Sequence, residues 1–482
     1  MKPQPGDWEA TTYLFFSQLA VMVVCVAPLL ATGYPAVIIM GSFLPAFAWQ
    51  HVLGHGYCAL SALRLAKTEN RTDVTALPGL GVDLVSSITI TFGVLMPTWI
   101  ATGDAYLAWG LGLAVNLLFG LTKILLYPFV GILKSLVPRA SLLGLLSGLM
   151  LIYVGTTYGI TIMEQPYVAF FTVGVVLATM FGRWLDDIPL LPVVFVLGSV
   201  IGYFTGSVQL PDNAFDISFN LGGITTLGFS HLWSAAREHI PLVVPLALGN
   251  QLLRNLSNLA AAEAVGDRYD AREVMIVDGA LTTVGGALLG SWMPTFLLSG
   301  HPGWKESGAR TFYPALTAVA YAITGFTGLL WVLREIIPEG VVAGVFIWLA
   351  LAVTHASIRK TPPGHLPAVL VSFIPIGAYL IVTQVTQEAT SSASTHLQTL
   401  ALGFPFTAII WSAIVVHLID RRPYLAAGWC MTGAVLTFFG LMHSSFLGVG
   451  AQGLPIVGGY LVWAVTTLIV YFLDTVIRRS RS

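Results

Sequence analysis

The stretch VTALPGLGVD, from Val74 to Asp83, leads into a long apolar run and places one proline and two glycines at its entry. Proline removes a backbone donor and glycine frees the backbone, so the stretch predicts a short extended piece followed by a half-helix. Irregular backbone at membrane depth is tolerated only where protein buries it or where it lines a cavity. A tight loop between two helices is the alternative interpretation of the same residues.

A second stretch of this kind, MPTFLLSGHPG, runs from Met293 to Gly303 and also leads into an apolar run. The two stretches fall in corresponding spans of the two halves of the chain. Paired breaks at matching positions are typical of inverted-repeat transporters that bind substrate near the bilayer midplane. The pairing therefore predicts a substrate site built from both stretches.

The composition predicts a membrane protein. Of 482 residues, 56% are hydrophobic and only 9% are charged, and the apolar runs repeatedly reach the ~20 residues that span a bilayer. A soluble fold is excluded, and the lipid bilayer is the expected surrounding. With a net charge of -1 and no basic surface beyond the loops, a nucleic-acid partner is not expected.

Runs and gaps together predict sixteen spans, all α-helical apart from the two breaks. They fall near residues 12–31, 35–64, 79–101, 104–127, 139–160, 165–182, 188–205, 238–264, 275–292, 300–311, 312–333, 339–357, 364–386, 397–419, 423–445 and 453–476. The predicted division is a first repeat over 1–205, an extracytoplasmic linker over 206–237, a second repeat over 238–420, and additional helices over 421–482.

Lys and Arg collect in every second gap, which predicts the orientation in the membrane. The clusters are Arg64/Lys67/Arg71, Lys134/Arg139, Arg183, Arg268/Arg272, Arg310, Arg359/Lys360, Arg421/Arg422 and Arg478/Arg479/Arg481, whereas the other gaps hold Arg237 and Arg334. Both termini are therefore expected on the cytoplasmic side of what we expect to be a bacterial inner membrane. The first run is read as a retained helix and not as a signal peptide.

Three stretches carry a resemblance to a known family: VTALPGLGVD, NLAAAEAVGDRYDAREVMIVDGALTTVGGALLGSWMP and SGHPGWKESGAR. They resemble the xanthine/uracil permease superfamily of nucleobase and ascorbate transporters, especially its purine-permease-like branch, over about residues 13–356. The resemblance implies a seven-plus-seven inverted repeat that forms a core and a gate domain, which can dimerise through the gate. It implies a strand and a half-helix in the third and tenth spans, and coupling to protons or sodium. The last four spans are two more than this plan requires.

The resemblance places the substrate between the two breaks and the eighth span. The middle of that span, GNQLLRNLSNLAAAE, lacks the family's central acidic residue, since no carboxylate precedes Glu263 within it. The tenth span has Ser299, Gly300 and His301 where relatives carry a glutamate. The predicted substrate-binding residues are Leu77, Gly79, Asp83, Asn250, Arg254, Asn255, Asn258, Phe296, Ser299, Gly300 and His301. The candidates for ion coupling are Asp83, Glu263, Asp278 and His301. Trp292 and Trp49 are, with Phe296, candidates for stacking on a planar ligand.

Each of these residues keeps a structural alternative. Arg254 either clamps an anionic group or pairs with Asp83 or Asp278. Asp83 either takes part in coupling or caps the half-helix, and Glu263 is either a coupling group or an ion pair at the helix end. Half-helix N-termini at Gly79 and Gly300 are expected to direct backbone N–H groups at the ligand.

No cofactor, metal or enzymatic role is expected. His51 and His55 are four residues apart, but no third ligand is evident, and no catalytic motif is present. The leading hypothesis is an ion-coupled secondary transporter of a planar nitrogen heterocycle such as a purine or pyrimidine, working by an elevator or rocking motion. Because Arg254 stands where an acidic anchor is expected, the alternative is a small-anion carrier for a carboxylate, sulfate or bicarbonate-like solute. A non-transporting membrane receptor is the third possibility.

Overall fold

The computed structural model describes residues 3–182, 190–208, 218–384, 392–449 and 454–481. The first part of the chain is helical apart from one short strand. Its elements are α1 (Pro5–Ala31), α2 (Ala36–Thr68), β1 (Leu80–Val82), α3 (Leu84–Thr102), α4 (Ala105–Ile132), α5 (Arg139–Glu164), α6 (Pro166–Met180), α7 (Leu190–Phe204) and α8 (Leu227–Ser230).

The second part repeats this pattern with a second short strand. Its elements are α9 (Leu232–Leu246), α10 (Leu253–Ala264), α11 (Ala271–Ile276), α12 (Gly285–Leu289), β2 (Thr295–Leu297), α13 (His301–Glu306), α14 (Tyr313–Phe326), α15 (Leu329–Ile336), α16 (Glu339–Lys360), α17 (Pro363–Thr383), α18 (Ser392–Ala401), α19 (Phe404–Ile419), α20 (Pro423–Phe438) and α21 (Leu454–Arg481). Segments of π-helix, Ala247–Leu252 and Val277–Val284, join α9 to α10 and α11 to α12.

These helices lie where the sequence predicts them, although not all are full crossings. Among the described residues, eight helices are long and apolar enough to span a bilayer, or ten if each of two sharply bent pairs counts as one span. The run predicted at 300–311 forms only the six-residue helix α13, which at 1.5 Å per residue is about 9 Å long and cannot cross by itself. The sixteen separate crossings are therefore not reproduced. Arg183 and residues 209–217 of the predicted linker lie outside the described residues.

Both breaks have the predicted form, an extended piece that leads into a helix. β1 and β2 pair antiparallel, with Leu80 opposite Leu297 and Val82 opposite Thr295. Backbone hydrogen bonds continue on both sides, from Leu298 N–H to the Gly79 carbonyl (2.9 Å) and from Asp83 N–H to the Pro294 carbonyl (2.8 Å). The two breaks thus satisfy each other's backbone, which is what irregular chain at membrane depth requires. The tight-loop alternative is wrong.

The chain is mostly helical, and its two broken spans pair their strands across the two halves of the chain, as the inverted-repeat fold implied by the family resemblance requires; α20 and α21 follow as additional helices. One boundary differs from the prediction. Gly79 has a φ of +127° and precedes β1, so the first half-helix begins at Leu84 and not at Gly79. Glycine is suited to this position because a side chain is strained at positive φ.

Contacts divide the chain into two compact units. The first comprises Met1–Pro128, Thr157–Ala235 and Gln251–Trp348, and the second comprises Phe129–Thr156, Ala236–Asn250 and Leu349–Ser482. One core cluster of the first unit brings Leu14, Val74, Phe296 and Tyr313 together. In the second unit a cluster of apolar side chains joins α19, α20 and α21. The predicted division into repeats, linker and additional helices stays a prediction.

Helix α2 packs directly against β1, and this contact yields a prediction. A Cβ atom on Gly54 would lie 2.2 Å from the Leu80 carbonyl oxygen, whereas one on Gly56 would meet nothing within 4 Å. We expect Gly54→Ala to lower the free energy of unfolding by about 1–3 kcal/mol through overpacking. The matched Gly56→Ala should instead be neutral or raise it by up to ~1 kcal/mol, because alanine favours helix. Thermal unfolding of the detergent-purified variants tests this, and equal melting temperatures would contradict the close approach of α2 to β1.

Candidate functional site

A fully buried ion pair contacts the backbone of β2. Lys123 Nζ on α4 is 2.9 Å from Asp278 Oδ2, and it also donates to Thr283 Oγ1 (2.6 Å) and to the Thr295 carbonyl (2.9 Å). Both side chains are 0% exposed. Asp278 accepts further hydrogen bonds from Asn255 and from the Thr295 hydroxyl, each at 2.8 Å. A sealed pair with this many partners holds α4 to β2.

The sequence analysis missed Lys123, although the signal was present. Lys123 stands inside the predicted span 104–127, where a charged side chain is costly and by default important. Its partner Asp278 was predicted as a candidate for ion coupling, with a structural hydrogen bond as the alternative. In the structure the Asp278 carboxylate forms a buried ion pair and hydrogen bonds, and its role in coupling stays a prediction.

Two predicted ligands of the substrate hold β2 in place. Asn255 Oδ1 accepts from Leu297 N–H at 2.8 Å, and Asn258 Nδ2 donates to the Leu297 carbonyl at 2.7 Å. The two amides therefore form hydrogen bonds with the backbone of β2 on the edge that β1 does not pair with. Asn250 is buried and belongs to the second compact unit.

Arg254, Asp83 and Phe296 come together at the start of the first half-helix. Asp83 caps α3, since Oδ2 accepts from Ser86 N–H at 3.0 Å, and its Oδ1 lies 3.6 Å from Arg254 Nη1. The guanidinium carbon of Arg254 lies 4.3 Å from the centre of the Phe296 ring. Asp83 thus forms both the helix cap that was its structural alternative and the ion pair that was the structural alternative for Arg254, and its part in coupling stays a prediction. The Arg254 side chain is 28% exposed, but that of Asp83 is only 1% exposed.

Polar side chains connect the eighth run to this half-helix. Gln251 Nε2 donates to Ser86 Oγ at 3.0 Å, and Ser86 Oγ donates to Asp83 Oδ2 at 2.5 Å. Gln251 Oε1 and Ser87 Oγ are buried without a hydrogen-bond partner among the described residues, and buried polar atoms of this kind usually serve a ligand or water. The sequence analysis passed over Ser86 and Ser87, which look like ordinary helix residues in an apolar run.

His301 lies in a separate cluster around Asp267. Its Nδ1 is 3.0 Å from the Ala76 carbonyl and its Nε2 is 3.0 Å from Asp267 Oδ2. The His301 ring thus lies between the Ala76 carbonyl and the Asp267 carboxylate. Lys305 Nζ also contacts Asp267 Oδ2 at 2.8 Å. The second break is therefore tied to the segment before β1 through the loop that follows α10.

Hydrogen-bond donors around Asp267 determine the pKa of its carboxyl group. Its side chain is completely buried, and burial alone raises the pKa of a carboxyl group. Hydrogen bonds from His301, Lys305 and Thr75 N–H outweigh this effect, so the net pKa of Asp267 is lowered. Arg71 Nη2 adds a further positive charge at 3.2 Å. Asp267 is thus held as an anion.

The remaining predicted residues lie outside these contacts. Glu263 is 58% exposed and pairs with Arg268 at 3.3 Å, which is the ion pair that was its structural alternative. Leu77 is fully buried, whereas Ser299 and Gly300 are exposed. Gly300 has a φ of +113° and is the N-cap of α13.

The two tryptophans predicted to stack on a ligand, and the two histidines considered for a metal, pack against other aromatic rings. Trp292 stacks on Phe43 with ring centres 4.0 Å apart, and Trp49 packs on Phe326. His51 and His55 are stacked on one another. Within the described ranges, no group of three or more His, Cys, Asp or Glu side chains could hold a metal ion.

The chain is distantly similar to several solved membrane proteins. No protein-family model matches it and no curated protein matches it. The transmembrane domain of a cyanobacterial bicarbonate transporter, BicA, is 14% identical, with a TM-score of 0.48 over 77% of this chain and 96% of that one. A structure of SLC26A9 is 11% identical, with a TM-score of 0.49 over 90% of this chain and 65% of that one.

The murine Solute Carrier 26 family member A9 anion transporter, in the inward-facing state, is also 11% identical, with a TM-score of 0.48 over 90% of this chain and 68% of that one. The expected membership of the xanthine/uracil permeases is wrong, since these neighbours belong to a different family of anion transporters and no family model matches. The nucleobase substrate that followed from that resemblance loses its basis. Similarity at this distance does not assign a substrate, for which the side chains of the site are the better guide.

The lowered pKa of Asp267 predicts how stability depends on pH. An unfolded Asp titrates near pKa ~3.9, so the stabilisation is complete above that value and is lost as pH falls through the lower pKa of the folded protein. We expect the melting temperature of the wild type to fall in this acid window and that of Asp267→Asn to change less there. Glu263→Gln, which removes the exposed pair with Arg268, serves as the control and should follow the wild type. A wild-type profile in Asp267→Asn would show that the cluster adds no stability.

Proposed function

We propose that the protein is a secondary transporter of a small anion and that Arg254 binds the anion. The observation that carries this proposal is the difference in exposure between two cations that lie close to the paired strands, Lys123 and Arg254. Lys123 is sealed at 0% exposure and surrounded by acceptors, whereas Arg254 is 28% exposed. Of these two side chains, Arg254 can therefore meet a solute without dismantling the fold.

The chemistry around Arg254 suits an oxyanion. A guanidinium presents a planar fork of N–H donors that matches a carboxylate, bicarbonate or sulfate group. Phe296 covers one face of the guanidinium at 4.3 Å, which fixes its plane and leaves recognition to its edge.

A planar heterocycle fits this site less well. The predicted aromatic partners Trp292 and Trp49 are engaged in packing, and the amides of Asn255 and Asn258 hold β2. These amides and indole rings, which would hydrogen-bond to the edge of a nucleobase and stack on its face, therefore already contact other parts of the chain. Bacterial inner-membrane location, cytoplasmic termini, an elevator or rocking motion and a homodimer remain predictions from the sequence.

Arg254 gives the first test of the proposed function. In proteoliposomes we expect saturable uptake of labelled bicarbonate, sulfate or formate and none of uracil or xanthine. Arg254→Ala should reduce the uptake about 100-fold, because a desolvated contact between charged groups is worth about 2–5 kcal/mol. Arg254→Lys should recover part of it, since lysine keeps the charge but loses the planar fork.

Arg334 supplies the matched control. It also forms an ion pair, with Glu335 at 2.7 Å, is 18% exposed, and lies over an aromatic ring, that of Trp331 at 5.7 Å. Arg334→Ala should leave anion uptake within about twofold, as expected of a pair away from the substrate. Uptake of a nucleobase without any anion uptake, or equal losses in the two alanine variants, would refute the proposal.

Asp83 is the residue through which we propose that uptake is coupled to protons. Because Asp83 already lies 3.6 Å from Arg254, an incoming anion competes with it for the same positive charge. Protonation of Asp83 removes this competition, so anion and proton should enter together. We expect uptake to increase as the outside pH is lowered.

Asp83→Asn should make the uptake independent of pH, and asparagine keeps the helix cap. Asp104 caps α4 by accepting from Leu107 N–H at 2.9 Å, so Asp104→Asn is the control and should retain the wild-type pH profile. A pH-dependent Asp83→Asn variant would exclude coupling through this carboxylate, while leaving the anion specificity to be decided by Arg254.

A further inference from the structure

A cavity of about 330 Å³ lies among α18, α19, α21 and the segment before α21, within the second compact unit. Its described lining includes His396, Thr399, Trp411, His443, Tyr460 and Trp463. A volume of this size holds a small organic group. The cavity is separate from Arg254 in the chain, and neither the breaks nor the eighth run contribute to it.

The polar atoms of Trp411, His443 and Tyr460 form hydrogen bonds with one another. Trp411 Nε1 donates to Tyr460 Oη at 2.9 Å, and His443 Nε2 is 3.1 Å from Tyr460 Oη. His443 Nδ1 is 3.1 Å from the Thr399 carbonyl, which can only accept, so the neutral ring carries its proton on Nδ1 and Nε2 accepts from the Tyr460 hydroxyl. What the rings offer to a ligand is therefore their faces.

The ring arrangement is held firmly. The backbone at His443 has a φ of +59°, a region that non-glycine residues rarely adopt, and its N–H donates to the Leu402 carbonyl at 2.9 Å. Trp463 lies against Trp411 and Tyr460, with ring centres 6.4 Å and 6.5 Å apart. The aromatic wall is therefore formed before any ligand arrives.

The charge of the cavity favours a cation. Its described lining contains no Lys, Arg, Asp or Glu. Burial lowers the pKa of His443 and outweighs the bond to Thr399, which raises it, so this ring is neutral near neutral pH. The negative faces of indole and phenol rings attract an ammonium group.

Helix α21 indicates the source of that cation. Its apolar side chains are widely exposed, among them Leu461 at 40%, Val462 at 65% and Val465 at 55%, as expected for a helix that faces acyl chains. Tyr460 and Trp463 lie about 9 and 14 Å along α21 from its first residue at 1.5 Å per residue, and tyrosine and tryptophan are enriched where membrane helices meet lipid headgroups.

We propose that this aromatic cavity binds the ammonium group of a membrane lipid, ethanolamine or choline in type, with the acyl chains along α21. The lipid is recognised through the faces of Trp411, Tyr460 and Trp463. The proposal does not depend on the transported solute. It gives the additional C-terminal helices a role in lipid binding.

The test is lipid titration of the delipidated, detergent-purified full chain by native mass spectrometry. Phosphatidylethanolamine, phosphatidylcholine and phosphatidylglycerol with identical acyl chains are compared, and an ammonium lipid should bind at least about tenfold more tightly than the glycerol lipid. Trp463→Leu should weaken that binding about tenfold by removing one ring face, while Trp463→Phe, which keeps a ring, should stay within about threefold.

Trp233, which is 81% exposed and lies outside the cavity, gives the control variant Trp233→Leu, with wild-type binding expected. Tetramethylammonium distinguishes the headgroup from the lipid as a whole and should displace the bound ammonium lipid. Equal binding of all three lipids, or wild-type binding by Trp463→Leu, would overturn the proposal. Binding of tetramethylammonium without any binding of the lipids would overturn the lipid source.

Discussion

The antiparallel pairing of β1 with β2 is the constraint on which the rest of this structure depends. Two short strands from opposite halves of the chain meet where the bilayer offers no water to satisfy an open backbone. The surrounding residues serve that pairing. Gly54 lets α2 approach Leu80, and Asn255 satisfies the free edge of β2 at Leu297. A polar substrate site can exist at this depth because the broken backbone is already satisfied.

The fold divides its intramembrane charges between two tasks. Lys123 and Asp278 form a pair that is sealed and fully hydrogen-bonded, and removing either partner would leave a buried charge without compensation. Arg254 and Asp83 form a pair at 3.6 Å whose cation is partly exposed, so another anion can replace the carboxylate. Exposure, more than charge, distinguishes the structural ion pair from the pair in the proposed binding site.

The sequence predicts those features that depend on local backbone chemistry. Proline and glycine in the two breaks predict the strands and half-helices, and Asp83 is recognisable as a cap because it directly precedes the helix. Partners from distant spans are not visible in this way, and so Lys123 was missed and His301 could not be joined to Asp267. The family resemblance failed for a related reason. Glycine and proline at the breaks indicate a backbone geometry, whereas the choice of a substrate depends on the side chains of the site, which one fold can vary.

The two half-helices differ in what they can offer an anion, and this difference shapes the site. An uncapped helix N-terminus attracts negative charge through its free N–H groups. At α3 the Asp83 carboxylate already occupies that position by accepting from Ser86 N–H, so the expected attraction from the first half-helix is cancelled by the chain itself. Helix α13 has only six residues and begins at His301, which is bonded to Asp267. In the proposed anion site Arg254 supplies the positive charge, 3.6 Å from the carboxylate of Asp83. The proposed coupling uses this position, because a proton on Asp83 would make both the guanidinium and the end of α3 more attractive to an anion.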